Sequence, residues 1–525
     1  MKQWFINLIL REMMAMCVVR KWLRAWGIGV LLAAVAFFPP LASAAAQVDF
    51  EAAKGEAVAF LDGHAEELTS VADAIWSYAE LGFQELKSSD VLKRLLEKYG
   101  FKVEMGVAGM PTAMVATWGS GEPVIGFTGE YDALPGLSQK AVPYKEPVVE
   151  GAPGHGCGHN LLGTTGAASA IALKHVMEKH SISGTVKFFG CPAEESGSAK
   201  IFMVREGIFD GTDVVLDNHP ANKFEAESGA HTSALMLLRI TFTGKSAHAG
   251  SAPWDGVSAL DAANIMGVAV EYLREHLYFT NRIHYIIQEG GSWPNIVPDK
   301  VVVMAYVRDT DDRLPETYKK FENCVKAGAL ASGCSYDVQV IKAYHQKHSN
   351  DALAKLIYKN MEQIGLPKWA EEEQSFAKEV QKNMGKDQTG LPDKLIFTPP
   401  PAVFTGGGST DVGEISLVAP VATLNTPCWP KGIPGHSWGV VAVGSTSIGH
   451  KGMLIGAKVL TSTAVDLIAD PEQLKKVKEE FGELSERIPY QPYVPKEVGP
   501  ELDMFDSEMT KWRPLMEPHY VEPKL

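Results

Sequence analysis

Gly154-His155-Gly156-Cys157-Gly158-His159-Asn160 and, further along, Pro192-Ala193-Glu194-Glu195 are the stretches that decide the reading of this chain. The first offers a thiol and an imidazole two residues apart on a glycine-rich turn. The second offers adjacent carboxylates directly after Val186-Lys187-Phe188-Phe189-Gly190-Cys191, an apolar run that reads as a buried strand. A metal-activated hydrolase needs these groups: soft and borderline ligands to hold an ion, plus one carboxylate free to take a proton from water. Either motif alone is weak. Their order makes them strong together.

Around these motifs the pattern alternates. A helix-like stretch over 163–177 precedes the strand 185–190, and the strand 213–216 leads into Asp217-Asn218-His219-Pro220. Residues from about 50 to 100 carry amphipathic helical stripes that include Leu68, Val71, Ile75 and Tyr78. Strands alternating with helices predict an α/β sheet with ligands at strand ends. From Ala234 the order becomes strand 235–242, helix 258–273, strands 283–288 and 300–308, helix 315–327 and strand 336–343. That β-α-β-β-α-β order is a ferredoxin-like α+β unit. The expected division is a signal peptide over 1–46, a catalytic α/β domain over 47–233 and 350–470, an inserted domain over 234–349, and a C-terminal helix and proline-rich tail over 471–525. Residues 369–403 read as polar, proline-rich loop.

At 525 residues the chain exceeds one ordinary core. Its 46% hydrophobic and 21% charged content suits a soluble globular enzyme. Arg20, Lys21 and Arg24 precede an apolar run over 26–38, then Pro39-Pro40 and small residues to Ala46. This predicts an exported, periplasmic or secreted protein, touching membrane only through this segment if it stays uncleaved. Cleavage removes five cations and one anion, taking the net charge from −14 to about −18, which argues against nucleic acid and anionic membranes as partners. No other stretch reads as long and apolar enough to span a bilayer. The cysteines left after cleavage are too sparse for a disulfide scaffold. Cys324 and Cys334, the nearest pair, read as either a bridge or free buried thiols.

Single residues carry different weights. His219 closes an apolar strand on the edge where Cys157 and Glu195 should emerge, which favours a ligand over a histidine satisfied at a turn. His436, in Pro434-Gly435-His436-Ser437-Trp438, stays open between ligand and loop. Glu194 and Glu195 are adjacent, so one can ligate while the other faces the water. Asp132 ends another strand and reads as a brace for a ligand rather than a turn cap. His248, in Ser246-Ala247-His248-Ala249-Gly250, reads equally as a donor to a substrate oxygen and as a plain loop histidine.

Taken in order, His155-Gly-Cys157-Gly-His159-Asn160, Pro192-Ala-Glu194-Glu195, Ser246-Ala-His248-Ala, Pro294-Asn295-Ile-Val-Pro298 and Gly435-His436-Ser-Trp438 resemble the di-metal amidohydrolases. That family includes aminoacylases, carboxypeptidase G, auxin-conjugate hydrolases and the p-aminobenzoyl-glutamate hydrolase branch, to which this chain is most similar. The resemblance covers roughly residues 55–470. It implies a catalytic domain holding two divalent metal ions, zinc or manganese, and a lid domain that also makes a homodimer. By motif position it implies Cys157, His159, Glu195, His219 and His436 as metal ligands, Glu194 as general base and Asp132 as the brace behind a ligand. His248 matches a lid histidine that completes the partner's site, and Asn295 and Arg308 match lid contacts to a substrate carboxylate. The chain departs from the family at Asn160, where many members carry Asp. It departs again at Ser409-Thr410-Asp411-Val412-Gly413, where many carry Ser-Glu-Asp-Phe. The signal peptide and tail also set it apart from cytoplasmic relatives.

The reaction expected is hydrolysis of a small amide joining an acyl or aroyl group to an amino acid or dipeptide. Glu194 would take the water's proton and pass it to the leaving amine, with His248 stabilising the oxyanion. Two rivals stand beside it: a non-catalytic exported binding protein on the same fold, and a cysteine-nucleophile hydrolase using Cys157 with His155 or His159.

Overall fold

Phe188 and Phe189 are neighbours in one strand yet point into different cores, and the layering follows from that alternation. The computed structural model describes residues 48–525, so the signal-peptide stretch lies outside the described residues. Strands β1 (Lys102–Met105), β2 (Met114–Ser120), β3 (Val124–Gly129), β4 (Gly184–Gly190), β5 (Val214–Ala221) and β6 (Phe224–Glu227) come first in the chain. A short β7 (Gly229–Ala230) leads to β8 (Ala234–Thr243), β9 (Arg282–Glu289), β10 (Lys300–Asp309) and β11 (Ser335–Tyr344). Then β12 (His348–Ser349) pairs back onto β7, and β13 (Leu395–Thr398) and β14 (Val421–Pro427) return to the first sheet.

The eight-stranded sheet runs β1-β2-β4-β3-β5-β14-β6-β13. Its centre, β4, β3, β5 and β14, is parallel. The C-terminal ends of these strands therefore share one edge, where ligands bind in open α/β sheets. Helices Phe50–Gly63, Ala65–Tyr78, Leu86–Lys98, His159–His180, Asp351–Ile364 and Ser447–Ala469 cover one face with the larger core. The short helices Ala199–Arg205 and Val412–Ser416 lie in the second core, on the other face, which continues into the lid.

The lid is the expected ferredoxin-like unit. Its antiparallel sheet runs β11-β8-β10-β9, backed by helices Ala259–Arg274 and Leu314–Ser332. Leu238, Ile240 and Phe242 alternate inward from β8 to meet those helices.

Three readings change and one open alternative, the state of Cys324 and Cys334, closes. Residues 369–403 are not all loop: helix Glu371–Asn383 buries Ala377 and Val380, and β13 follows. Its thin apolar stripe hid it among charges. The helix Ser447–Ala469 is long and apolar enough to cross a membrane, against the expectation of none, but most of it is buried as a core helix. Cys324 and Cys334 are free thiols, donating to the carbonyls of Lys320 and Ser258. The tail carries its own helix, Asp506–Met516, and is strapped down along its length. Tyr493 stacks on His345 at 4.0 Å, Glu501 pairs with Arg239 of the lid at 2.9 Å, and Arg513 donates to the Gln84 carbonyl at 2.7 Å. Tyr520 meets Tyr78 edge-on at 5.1 Å.

Where the chain returns from the lid, Lys347 Nζ lies 2.6 Å from Glu227 Oε1. The Lys347 charge outweighs desolvation and lowers the Glu227 pKa from 4.5 to about 2. A folded pKa below the unfolded one gives stability that is complete above pH 4.5 and fades as the pH falls through about 2. Glu227→Gln should therefore cost on the order of 3 kcal/mol at pH 7. Denaturant melts across pH should show that deficit shrinking below pH 4.5.

Candidate active site

Three sharp connections deliver the polar groups to the strand-end edge. Gly158 sits between Cys157 and His159 with φ +77°, a conformation that glycine adopts without strain, and it leads into the helix His159–His180. After β4, Ala193 (φ 55°) and Ser198 (φ 55°) take the same left-handed conformation without being glycine. Strain of this kind is held only where surroundings fix it. Here the Glu85 carboxylate accepts from the Ala193 amide at 2.8 Å, and Gly82 leaves room for the turn, since a Cβ there would lie 2.8 Å from that of Ala193. The third connection follows β14. His436 also has positive φ (57°), and its amide donates to the Gly156 carbonyl at 2.8 Å, docking the second catalytic segment on the Cys157 turn.

The ligand atoms of Cys157, His159 and His219 lie within 4.8 Å of one another, and so do those of Cys157, Glu195 and His436. The expected ligand residues are thus brought together, with Cys157 common to both groups. A third group joins Glu130, His159 and Glu194. Asp132 braces the centre: Oδ1 accepts from His159 Nδ1 at 2.8 Å and Oδ2 from the Glu195 amide at 3.0 Å. His219 lies within β5 rather than on a turn, and its Nδ1 donates to the Pro220 carbonyl at 2.7 Å. With both Nδ1 atoms donating, each Nε2 keeps a lone pair for an ion. Among the described residues, His159 Nε2 and Glu130 Oε2 are buried polar atoms without a hydrogen bond, and Glu195 Oε1 has only the poorly aligned His436 ring, 3.1 Å away. Buried polar atoms are normally paired, so unsatisfied atoms on members of each of the three groups fit a metal centre of mixed S, N and O ligands.

The paired glutamates differ electrically. Desolvation, then the carboxylates of Glu130, Glu195 and Asp411, push the Glu194 carboxyl well above the usual range. Desolvation acts on Glu195 too, but His436 at its oxygen and the charge of His159 outweigh it, leaving its pKa at about 2. Two carboxyls driven apart in this way suit a proton carrier beside a permanently ionised ligand. Burial lowers the His219 pKa to about 4, which keeps its ring neutral. Burial pushes the Cys157 thiol up, and His155 Nε2 is spent on the Ile75 carbonyl at 3.0 Å, so His155 is not placed as the base of a cysteine nucleophile, while His159 stands beside Cys157 in the metal-ligand group.

The lid residues stand apart from this cluster. His248 is exposed, its Nδ1 accepting from the amides of Gly250 and Ser251 at 3.1 Å each, which leaves Nε2–H as the free donor. Asn295 is exposed on the neighbouring loop, its carbonyl accepting from the Ala249 amide. Arg308 is half-buried, with Nη1 on Ser409 Oγ at 3.0 Å and Nε unpaired. By register it shares one sheet face with Tyr306, Lys342 and Tyr344, and Lys342 Nζ donates to the Glu195 carbonyl at 3.3 Å. A register shift between Val340 and Lys342 accompanies that aim. Glu130, Lys200, Lys342 and Asp411 were missed from sequence. The available signals were small: Glu130 ends the same strand as Asp132, and Lys200 interrupts an apolar run.

Residues 126–402 match peptidase family M20/M25/M40. The chain is 36% identical to a p-aminobenzoyl-glutamate hydrolase subunit of Escherichia coli over 467 residues, 84% of this chain and 97% of that protein. It is 31% identical to mouse Xaa-Arg dipeptidase, over 84% of this chain and 94% of the other. Among solved structures, the fold resembles an aminobenzoyl-glutamate utilization protein from Klebsiella pneumoniae, with TM-score 0.54 and 16% identity over 78% of this chain and 97% of that one. A dinuclear metal-binding peptidase of the M20 family from Bacillus subtilis superposes with TM-score 0.52 and 16% identity, over 78% of this chain and 99% of that one.

Asp132→Asn keeps the size of the brace but replaces one of its two acceptors with a donor. Metal affinity, read by competition with a chromophoric chelator, should fall about 10- to 100-fold.

Proposed function

The chain belongs to peptidase family M20/M25/M40 and is a metal-dependent amide hydrolase, and we propose that it releases an amino acid or dipeptide from an acyl or aroyl amide. The observation that carries the site assignment is the convergence of Cys157, His159, Glu195, His219 and His436 with unpaired donor atoms beside Glu194. These five residues would hold two divalent ions, zinc or manganese, which polarise the amide carbonyl and acidify a water when bound. Glu194 accepts that water's proton and delivers it to the leaving nitrogen. Asp132 keeps His159 and Glu195 in register while the proton moves.

Two relatives support the leaving group, since aminobenzoyl-glutamate and Xaa-Arg both end in an α-amino acid. Its carboxylate suits Arg308, whose Nε is unpaired, with Asn295 as a second contact. His248 supplies Nε2–H to the developing oxyanion of a partner's site. A homodimer through the lid is supported by exposed apolar side chains on edge strand β9 and its neighbouring helix, with Ile286 63%, Val268 59% and Tyr272 78% exposed. Bare apolar edges otherwise invite aggregation. Export to the periplasm or medium, and a catalytic domain over 47–233 and 350–470 with a lid over 234–349, complete the proposal.

The test uses protein beginning near Gln47, with p-aminobenzoyl-glutamate, N-acetyl amino acids, indoleacetyl-aspartate and Xaa-Arg and β-alanyl dipeptides, read by released amine. Turnover should vanish with chelator and return with zinc or manganese. Glu194→Gln should retain metal while kcat drops at least about 100-fold. Undiminished turnover in that variant removes Glu194 from the role.

A further inference from the structure

Lys200 is fully buried in the short helix Ala199–Arg205, whose other early residues are apolar. Its ammonium donates to Glu130 Oε1 at 2.6 Å and Asp411 Oδ1 at 2.7 Å, and its amide donates to Asp411 Oδ2 at 3.1 Å. A buried ammonium is costly unless paired, and here it is paired twice. Two carboxylates against one ammonium still leave one negative charge over. The free oxygen is on Glu130, because both oxygens of Asp411 are engaged while Glu130 Oε2 has no hydrogen bond among the described residues.

Glu130 Oε2 lies 3.2 Å from His159 Nε2. His159 already gives its Nδ1 proton to Asp132, a carboxylate that can only accept. Yet Nε2 and Glu130 Oε2 make no hydrogen bond to each other, so two polar atoms face each other unsatisfied in a dry pocket at near-contact distance. Such an arrangement is stable around a cation. His159 also belongs to the group formed with Cys157 and His219, and with Nδ1 held by Asp132 its Nε2 is the atom left for an ion, so the cation that satisfies Glu130 is the one these residues would hold.

We propose that Glu130 is a further donor to the ion held by Cys157, His159 and His219, and that Lys200, anchored by Asp411, is the positioning residue that turns its free oxygen toward that ion. The inference rests on the metal reading above and adds to its ligand set. It also gives a purpose to Asp411, which occupies the segment where the chain departs from the family pattern. The carboxylate excess of the cluster offsets part of the ion's charge, a role the neutral histidines cannot fill.

The experiment titrates metal-free protein with zinc against a chromophoric chelator, and with cobalt followed by visible absorption. Wild-type protein should take up two ions. Glu130→Gln preserves shape and leaves the Lys200–Asp411 pair, so it should fold, as circular dichroism checks. It should weaken one ion about 10- to 100-fold, leave the other unchanged, and alter the cobalt spectrum. Lys200→Met should weaken the same ion, and the double variant should be no weaker than Glu130→Gln alone, because Lys200 acts through Glu130. Unchanged affinity and spectrum in Glu130→Gln, with two ions in the wild type, overturns this inference alone. Wild-type protein that takes up no ion overturns the metal reading and this inference with it.

Discussion

The carboxylate of Asp132 lies between two segments that meet only in the folded chain, and the active-site geometry hangs on it. One oxygen fixes the tautomer of His159, at the head of a long core helix, and the other fixes the amide of Glu195, beyond a strained turn. The parallel centre of the sheet makes this meeting feasible, because β3, β4 and β5 all end on one edge. Without that edge, groups separated by tens of residues would have no common address. With it, a two-acceptor brace is enough to set the distance between ligands from different loops.

The charged groups form a gradient outward from this brace. Nearest the proposed ions are Cys157, three imidazoles and an ionised Glu195. Glu130 reaches in among them from a cluster with Lys200 and Asp411, which lie behind it, sealed from water. Beyond, the lid presents Lys342, Arg308 and two tyrosines on a single sheet face, with Lys342 touching the backbone of the glutamate turn. The lid is thus joined to the chemistry through a main-chain contact as well as through any substrate between them.

Some of this was legible in the primary structure and some was not, for physical reasons. Cys157, His159, Glu194 and Glu195 were readable because each pair is local and its donor types are diagnostic. The lid was readable because its strands keep a period of two and its helices are long. Glu130 and Lys200 were not, because a charge beside apolar residues has the same signature as a solvated face until its partner is known. The partner of Lys200 lies 211 residues away at Asp411. The helix Glu371–Asn383 was lost in its own charges, and the insertion of β14 between β5 and β6 is a long-range pairing that no local pattern encodes. His436 gained its meaning only when its amide was seen bonded to the Cys157 turn.

The strapped tail has a bearing on how the molecule comes into being. The last residues close over the first helices: the amide of Val521 donates to Ser77 and that of Lys524 to Ser70, while Tyr520 covers Tyr78. A polypeptide made from its N-terminus forward leaves those helices uncovered until residues 520–524 have been made. Closure over these helices therefore comes late relative to the rest of the described fold, and residues 65–78 meet residues 520–524 along a seam.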